Sequence, residues 1–465
     1  MREEPLALLP EMCLLGGSVV ALLSGSFLPQ DRQWVARLIA VAALLAAGAA
    51  AMFALGDAPK VVFGGFAVDT ATGITRLVVV AATLLVIGLG IDELAGQSRE
   101  SETYALLLLG GLGALVLAAT DDLLVLAVGF LLSSIPLYAL IGMVRSPGAA
   151  EAALKTYLLG ALFGIVLLLG ITVLYGVGGS TAYQALTTGL DGAPQAATAV
   201  GVLGVVAGLM FKAGGVPGHF WVPDATQASS ITAAAFLTTV PKIGALVATY
   251  RLLTVLPASA HGPLLVAVLA AATMTLGNLA ALAQTNARRL LGWSTVSQVG
   301  YLLLPVVVAG RSGDALSSLL MYLGGYAVTN LTAFAVVAAL PDRRSLDDYR
   351  GLAAQRPWLA GGLVVSLLSL VGTPPTAVFI GKLTVFTAAW DGGYSWLVVV
   401  AAANTVASLF YYLRWIAPTF RRGDATAEGH RRYATSAALI AALGVLALGL
   451  AAGAVLNLVE GGLAH

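Results

Sequence analysis

The sequence predicts an all-α polytopic membrane protein, and three observations predict it. Of 465 residues, 59% are hydrophobic and only 10% charged, against about 25% charged in a soluble domain. The apolar residues fall into runs near the roughly 20 residues that span a bilayer as helix. Four of the five lysines, Lys155, Lys212, Lys242 and Lys382, lie inside those runs, and only Lys60 sits in a polar loop. A lysine at bilayer depth costs at least ~2.5–3.5 kcal/mol, so it faces a bundle interior or a hydrated cavity.

Fourteen spans are expected, in a single membrane domain over residues 1–465. The first six are Ala7–Leu28, Trp34–Leu55, Thr75–Leu94, Tyr104–Thr120, Leu123–Met143 and Ala153–Tyr175. Next come Ala196–Val216, Ile231–Leu253, Pro263–Ala283 and Leu290–Val308. The last four are Leu316–Leu340, Trp358–Trp390, Trp396–Ile416 and Ser436–Val459. As one straight helix, the twelfth would reach roughly 50 Å across a hydrocarbon core of roughly 30 Å. It is expected to break at Gly372-Thr373-Pro374-Pro375, where proline and glycine free backbone groups. The acidic start, Met1 to Pro5, lacks a signal peptide's basic region, so the first span is expected to be retained.

Basic residues sort by side. The connections 1–2, 3–4, 5–6, 9–10, 11–12 and 13–14, with the flanking span ends, hold fifteen of the 24 Lys and Arg, all arginines; the other side holds Arg2, Lys60, Arg76, Arg251 and Arg311. The positive-inside rule puts the arginine-rich loops in the cytoplasm and both termini outside, in a cell inner or plasma membrane. Cys13 is the single cysteine, which excludes an internal disulfide and a cysteine-held iron–sulfur cluster. A net charge of +1 without a basic tract gives no reason to expect nucleic acid. No loop holds a phosphate-binding or dinucleotide motif, so no cofactor is expected on this chain.

The richest chemistry lies in Phe211–Asp224, which packs Lys212, His219, Asp224, two prolines and three glycines around the end of one span. Lys212 and His219 can both change protonation state, as a water-linked proton relay requires; a snorkelling lysine and an interfacial histidine are the plainer reading. Lys242 follows Pro241 in mid-span, out of snorkelling reach, and Lys382 follows Pro375 by seven residues. Neither has an acid in its own span. Lys155 has Glu151 at i−4, so a surface ion pair competes there with a functional role. Asp121, Asp122 and Glu102 read as solvated or capping residues at span ends.

These motifs resemble the antiporter-like proton-translocating membrane subunits shared by respiratory complex I and Mrp-type cation/proton antiporters, and the pattern is nearest the N-type branch. The resemblance covers about residues 100–420. It rests on Glu151–Lys155 with Leu159-Gly160-Ala161, on Phe211–Asp224, on Pro241-Lys242, on Arg289–Thr295 through Gly300-Tyr301, and on Gly372–Pro375 with Phe379–Lys382. It implies two inverted five-helix repeats, about 104–254 and 263–416, flanked by helices in 1–95 and 436–465, with broken helices at spans seven and twelve. It implies Lys212 and Lys382 as central relay lysines and Lys242 as the connecting one; Lys155 and His219 are further candidates on their own chemistry. It also implies a complex of membrane and peripheral subunits coupling quinone reduction to proton pumping. There NAD, FMN, iron–sulfur clusters and quinone belong to the partners, while this chain meets protons and the bilayer. A Mrp-type Na⁺/H⁺ antiporter subunit and a non-pumping scaffold paralogue remain alternatives. Three departures stand out. Leu131 occupies the family's span-five glutamate position, Gln227–Thr232 replaces an acidic proline-rich run, and Gln298 stands where histidine is frequent. The resemblance implies that Leu131 leaves Lys212 without an acidic neighbour.

Overall fold

The computed structural model describes residues 4–423 and 431–464. Arg2, counted above among the outer basic residues, and the first residues of the acidic start lie outside that range. The helices run α1 Leu9–Phe27, α2 Trp34–Phe53, α3 Thr70–Leu94, α4 Glu100–Ala118, α5 Leu123–Gly142, α6 Pro147–Gly178 and the short α7 Tyr183–Gly189. They continue α8 Gln195–Ala213, α9 Trp221–Ala228, α10 Ile231–Val255, α11 Gly262–Leu282, α12 Ala287–Leu302 and α13 Leu304–Val307. The rest are α14 Ala315–Ala339, α15 Leu352–Gln355, α16 Pro357–Val371, α17 Ala377–Asp391, α18 Ser395–Thr419, α19 Arg432–Leu450 and α20 Ala452–Val459. An antiparallel hairpin, β1 Lys60–Val62 and β2 Phe66–Val68, is the one sheet among the described residues.

Thirteen helices among the described residues are long and apolar enough to cross a membrane. The remaining expected span, the twelfth, is divided into α16 and α17 of fifteen residues each, separated at Gly372–Thr376. Three boundaries move by five residues or more: the fourteenth span ends with α19 at Leu450, not Val459, with α20 a separate helix, and two span starts shift. Ser146 caps α6 through its hydroxyl, so that helix begins at Pro147 and Lys155 lies two turns inside it, not at its opening. Asp69 caps α3 and starts it at Thr70, ahead of the expected Thr75.

α10 sits at the centre, every residue of its most apolar window buried. It packs on α3, α4 and α8 from the first half and on α14 from the second. Loops at each end are tied together. Phe66 pairs with Thr120 and Asp122 with Ala182 at one end, while Asn286 pairs with Ser345 at the arginine-rich end. Two ion pairs buried at the first end escaped sequence reading, because their partners are far apart in the chain. Arg251 holds Asp69 through two bonds of 2.6 and 2.7 Å and donates to the Ala118 carbonyl, and Arg76 holds Glu11 at 2.8 and 2.9 Å. Arg251 and Arg76 are therefore interior fasteners and not loop charges. Removing one partner of such a pair costs ~3–5 kcal/mol.

Candidate functional site: buried lysines at two helix interruptions

α8 ends at Gly214, whose φ of +79° lets the chain turn left-handed and whose missing side chain leaves room for Lys242. A Cβ there would come within 2.7 Å of the Lys242 Nζ. Lys242, from α10, donates instead to the Ala213 carbonyl at 2.6 Å, one of those a helix C-terminus leaves unpaired. Its ammonium also lies 5.8 Å from the centre of the Trp221 ring.

Lys212 is the penultimate residue of α8 and is only 1% exposed. It donates to the Ser134 hydroxyl on α5 and sits 5.1 Å from the centre of the Phe130 ring. Phe130 and Ser134 are one turn apart, so they share the α5 face that meets the lysine. Leu131 does not share it. Its side chain is 47% exposed on the outside of the bundle. The expectation that position 131 neighbours Lys212 is corrected: the helical period turns it about 100° away from Phe130, and Ser134 is the polar neighbour.

The second interruption is built differently. α16 ends at Gly372, again left-handed at φ +95°, and α17 starts after Pro374-Pro375. Lys382 reaches back from α17 and donates to the carbonyls of Leu370 at 3.1 Å and Val371 at 2.9 Å. Its Nζ lies 4.1 Å from the centre of the Tyr301 ring. Gln298 donates to the same Leu370 carbonyl at 2.9 Å and accepts from the Tyr322 hydroxyl at 2.6 Å. The expected histidine position thus carries a side chain that bonds on both sides and cannot titrate.

Neutral donors lie between the two halves. Asn330 on α14 donates to the hydroxyls of Thr238 and Thr239, one turn from Lys242 on α10. Tyr326 donates to the Thr238 carbonyl at 2.7 Å, and its hydroxyl lies 3.3 Å from that of Thr295. Thr295 stands one turn from Gln298 on α12, and Tyr326 one turn from Tyr322 on α14. The buried amide oxygen of Asn330 has no hydrogen-bond partner among the described residues, which suits an ordered water. Beyond Tyr301, a neutral cluster joins Asn278, Asn404, Ser297 and Tyr411 by bonds of 2.7–3.0 Å. Sequence reading missed both groups, since a buried Asn or Tyr carries no charge to draw notice.

His219 and Lys155 stand apart from this line. His219 is buried in the turn between α8 and α9, its ring tilted against that of Phe220 with centres 4.1 Å apart; its Nδ1 has no hydrogen-bond partner among the described residues. Lys155 lies near the arginine-rich end and pairs with Asp224 of α9. The Glu151 pairing expected from i−4 spacing is replaced, because Asp224 also attracts Arg289 at 2.7 Å and draws α6, α9 and α12 together. Asp121 is likewise buried, not solvated, while Asp122 caps α5 as expected.

Residues 120–408 match the family described as NADH:quinone oxidoreductase/Mrp antiporter, TM. NADH-quinone oxidoreductase subunit N of Mycobacterium sp. (strain JLS) is 58% identical over 461 residues, 98% of each chain. Subunit N 1 of Streptomyces griseus is 52% identical, again over 98% of each chain. Among solved structures, a chain of respiratory complex I from Thermus thermophilus with bound aureothin superposes with a TM-score of 0.85 at 34% identity, covering 97% of this chain and all of that one. A chain of the Mrp complex from Dietzia sp. shares the fold, with a TM-score of 0.84 over 98% of this chain and 96% of that one, at 22% identity.

Proposed function

Because this chain belongs to the NADH:quinone oxidoreductase/Mrp antiporter transmembrane family, we propose that it is the antiporter-like, N-type membrane subunit of a proton-translocating NADH-quinone oxidoreductase. It assembles with the other membrane and peripheral subunits, which carry NAD, FMN, iron–sulfur clusters and quinone. Its own part is proton transfer. The observation that carries this reading is the placing of Lys212 with Lys242, and of Lys382, against the two helix interruptions, with hydrogen-bonding side chains between them.

A lysine in a dry bundle pays a desolvation cost while charged, which freed carbonyls and aromatic faces offset only in part. Each such lysine is thereby poised to exchange a proton with water or a neighbour. Thr238, Asn330, Tyr326, Thr295, Gln298 and Tyr322 supply hydroxyls and amides from the first half towards the second. Ordered waters close the steps that these side chains do not reach. Lys155 with Asp224 lies at the arginine-rich end, the cytoplasmic one by charge asymmetry, with both termini outside. The two interruptions are read as corresponding points of two inverted repeats.

The test is purification of the tagged chain from its native membrane. Co-elution of quinone-reducing dehydrogenase subunits is expected. Recovery with antiporter subunits alone would overturn the proposal.

A further inference from the structure

A cavity of about 810 Å³ opens at the arginine-rich end, where α6, α9, α12 and α14 meet. Five basic side chains line it, Lys155, Arg288, Arg289, Arg343 and Arg344, against two acids, Glu151 and Asp224. Asp224 is shared by Lys155 and Arg289. Arg288 gives its donors to the neutral carbonyls of Thr226 and Ser229, and the charges acting on it are Glu93 and the like-charged Arg344. The first turns of α6, at Ser146 and Gly148, and of α12, at Asn286, also face the cavity. Their dipoles add positive potential to that of the side chains. Among the described residues the lining carries three more positive than negative charges, five against two.

A second, apolar groove of about 550 Å³ starts from the same two residues, Glu151 and Lys155. It runs along α6 past Leu154, Leu158 and Leu159 to Phe220. Leu154, Leu158 and Phe220 are more than half exposed, the two leucines on the outer flank of α6, a helix long and apolar enough to cross a membrane. A cationic cavity at a helix end that continues into an apolar furrow along a spanning helix has the two-part shape of a phospholipid.

We propose that this is a binding site for an anionic phospholipid. Its headgroup phosphate lies among Arg288, Arg289, Arg343 and Arg344, its glycerol passes Lys155, and one acyl chain fills the groove along Leu154 and Leu158. Arginine suits this headgroup because its planar fork can donate twice to one phosphate. The continuous furrow favours a lipid over free phosphate, which would leave it unfilled.

The test uses the intact complex in phosphatidylcholine vesicles doped with phosphatidylglycerol carrying a photoreactive acyl chain, with cross-linked peptides mapped by mass spectrometry. Labelling within Leu154–Phe163 is expected, suppressed by excess unlabelled phosphatidylglycerol and not by phosphatidylcholine. The double variant Arg343→Gln, Arg344→Gln should lower that labelling about tenfold, and Leu158→Trp, which fills the groove, should lower it comparably. Native gels confirm that each variant assembles. Equal suppression by phosphatidylcholine, or full labelling in the assembled double variant, would overturn the proposal. So would loss of labelling to millimolar inorganic phosphate, which would assign the cavity to free anion.

Discussion

The two helix interruptions pose the same problem and solve it with different side chains. After α8, the freed Ala213 carbonyl is taken by Lys242 from another helix, which leaves Lys212 to a single neutral partner, Ser134. After α16, Lys382 takes two freed carbonyls itself, and Gln298 shares one of them. In the first half, therefore, backbone support falls to Lys242 and leaves Lys212 free of it, whereas in the second Lys382 carries that support itself. A lysine that also satisfies the backbone is costlier to replace than one that bonds only a hydroxyl, since a stranded buried acceptor costs ~1–3 kcal/mol.

That difference orders the expected effects of substitution. Lys382→Ala strands the Val371 carbonyl and removes a lysine proposed for the relay. It should lower the stability of the assembled complex by ~1–3 kcal/mol, seen as earlier thermal dissociation, as well as abolish pumping. Lys212→Ala should abolish pumping with a much smaller change in dissociation temperature. Equal destabilisation by the two would break the contrast. Lys242→Arg keeps a cation near the Ala213 carbonyl but effectively never releases its proton. It should assemble normally and pump poorly; full pumping would make Lys242 a fixed charge.

Smaller effects sharpen the second half. Gln298→Leu removes the acceptor for Tyr322 and one donor to Leu370, with an expected cost of ~1–3 kcal/mol and partial loss of pumping. Gln298→His should restore much of the rate and add a dependence on pH near the imidazole range, ~6.5. An unaltered pH profile in an active Gln298→His complex would place this position off the path. The smallest effect is expected from Leu131→Glu. Its side chain faces outward, so the pH profile of pumping should stay within error of wild type. A clear alkaline shift would show that position 131 reaches Lys212 after all.

How far the sequence carries depends on whether a feature is local. Apolar runs, the Gly/Pro interruptions at 214–218 and 372–375, and the buried lysines could all be read directly, because each depends on a few neighbouring residues. Partners across the fold could not. Asp224 lies 69 positions from Lys155 and Ser134 lies 78 from Lys212, and helical spacing offered Glu151 instead. The face presented by α5 was equally hidden. Core-facing and outward-facing residues of a membrane helix are alike in polarity, so the apolar pattern gives no direction for Leu131. The neutral ladder of Thr238, Asn330, Tyr326 and Gln298 left no mark in composition, because its residues become polar neighbours only when α10, α12 and α14 pack.

If protons pass through the lysines at both interruptions, the purified complex rebuilt in sealed vesicles should reveal it in substrate-driven quenching of a pH dye, with quinone reduction followed in parallel. Complexes carrying Lys212→Ala or Lys382→Ala should each lose most of the quench while remaining assembled. Wild-type quenching in either variant, at an equal rate of quinone reduction, would contradict that route.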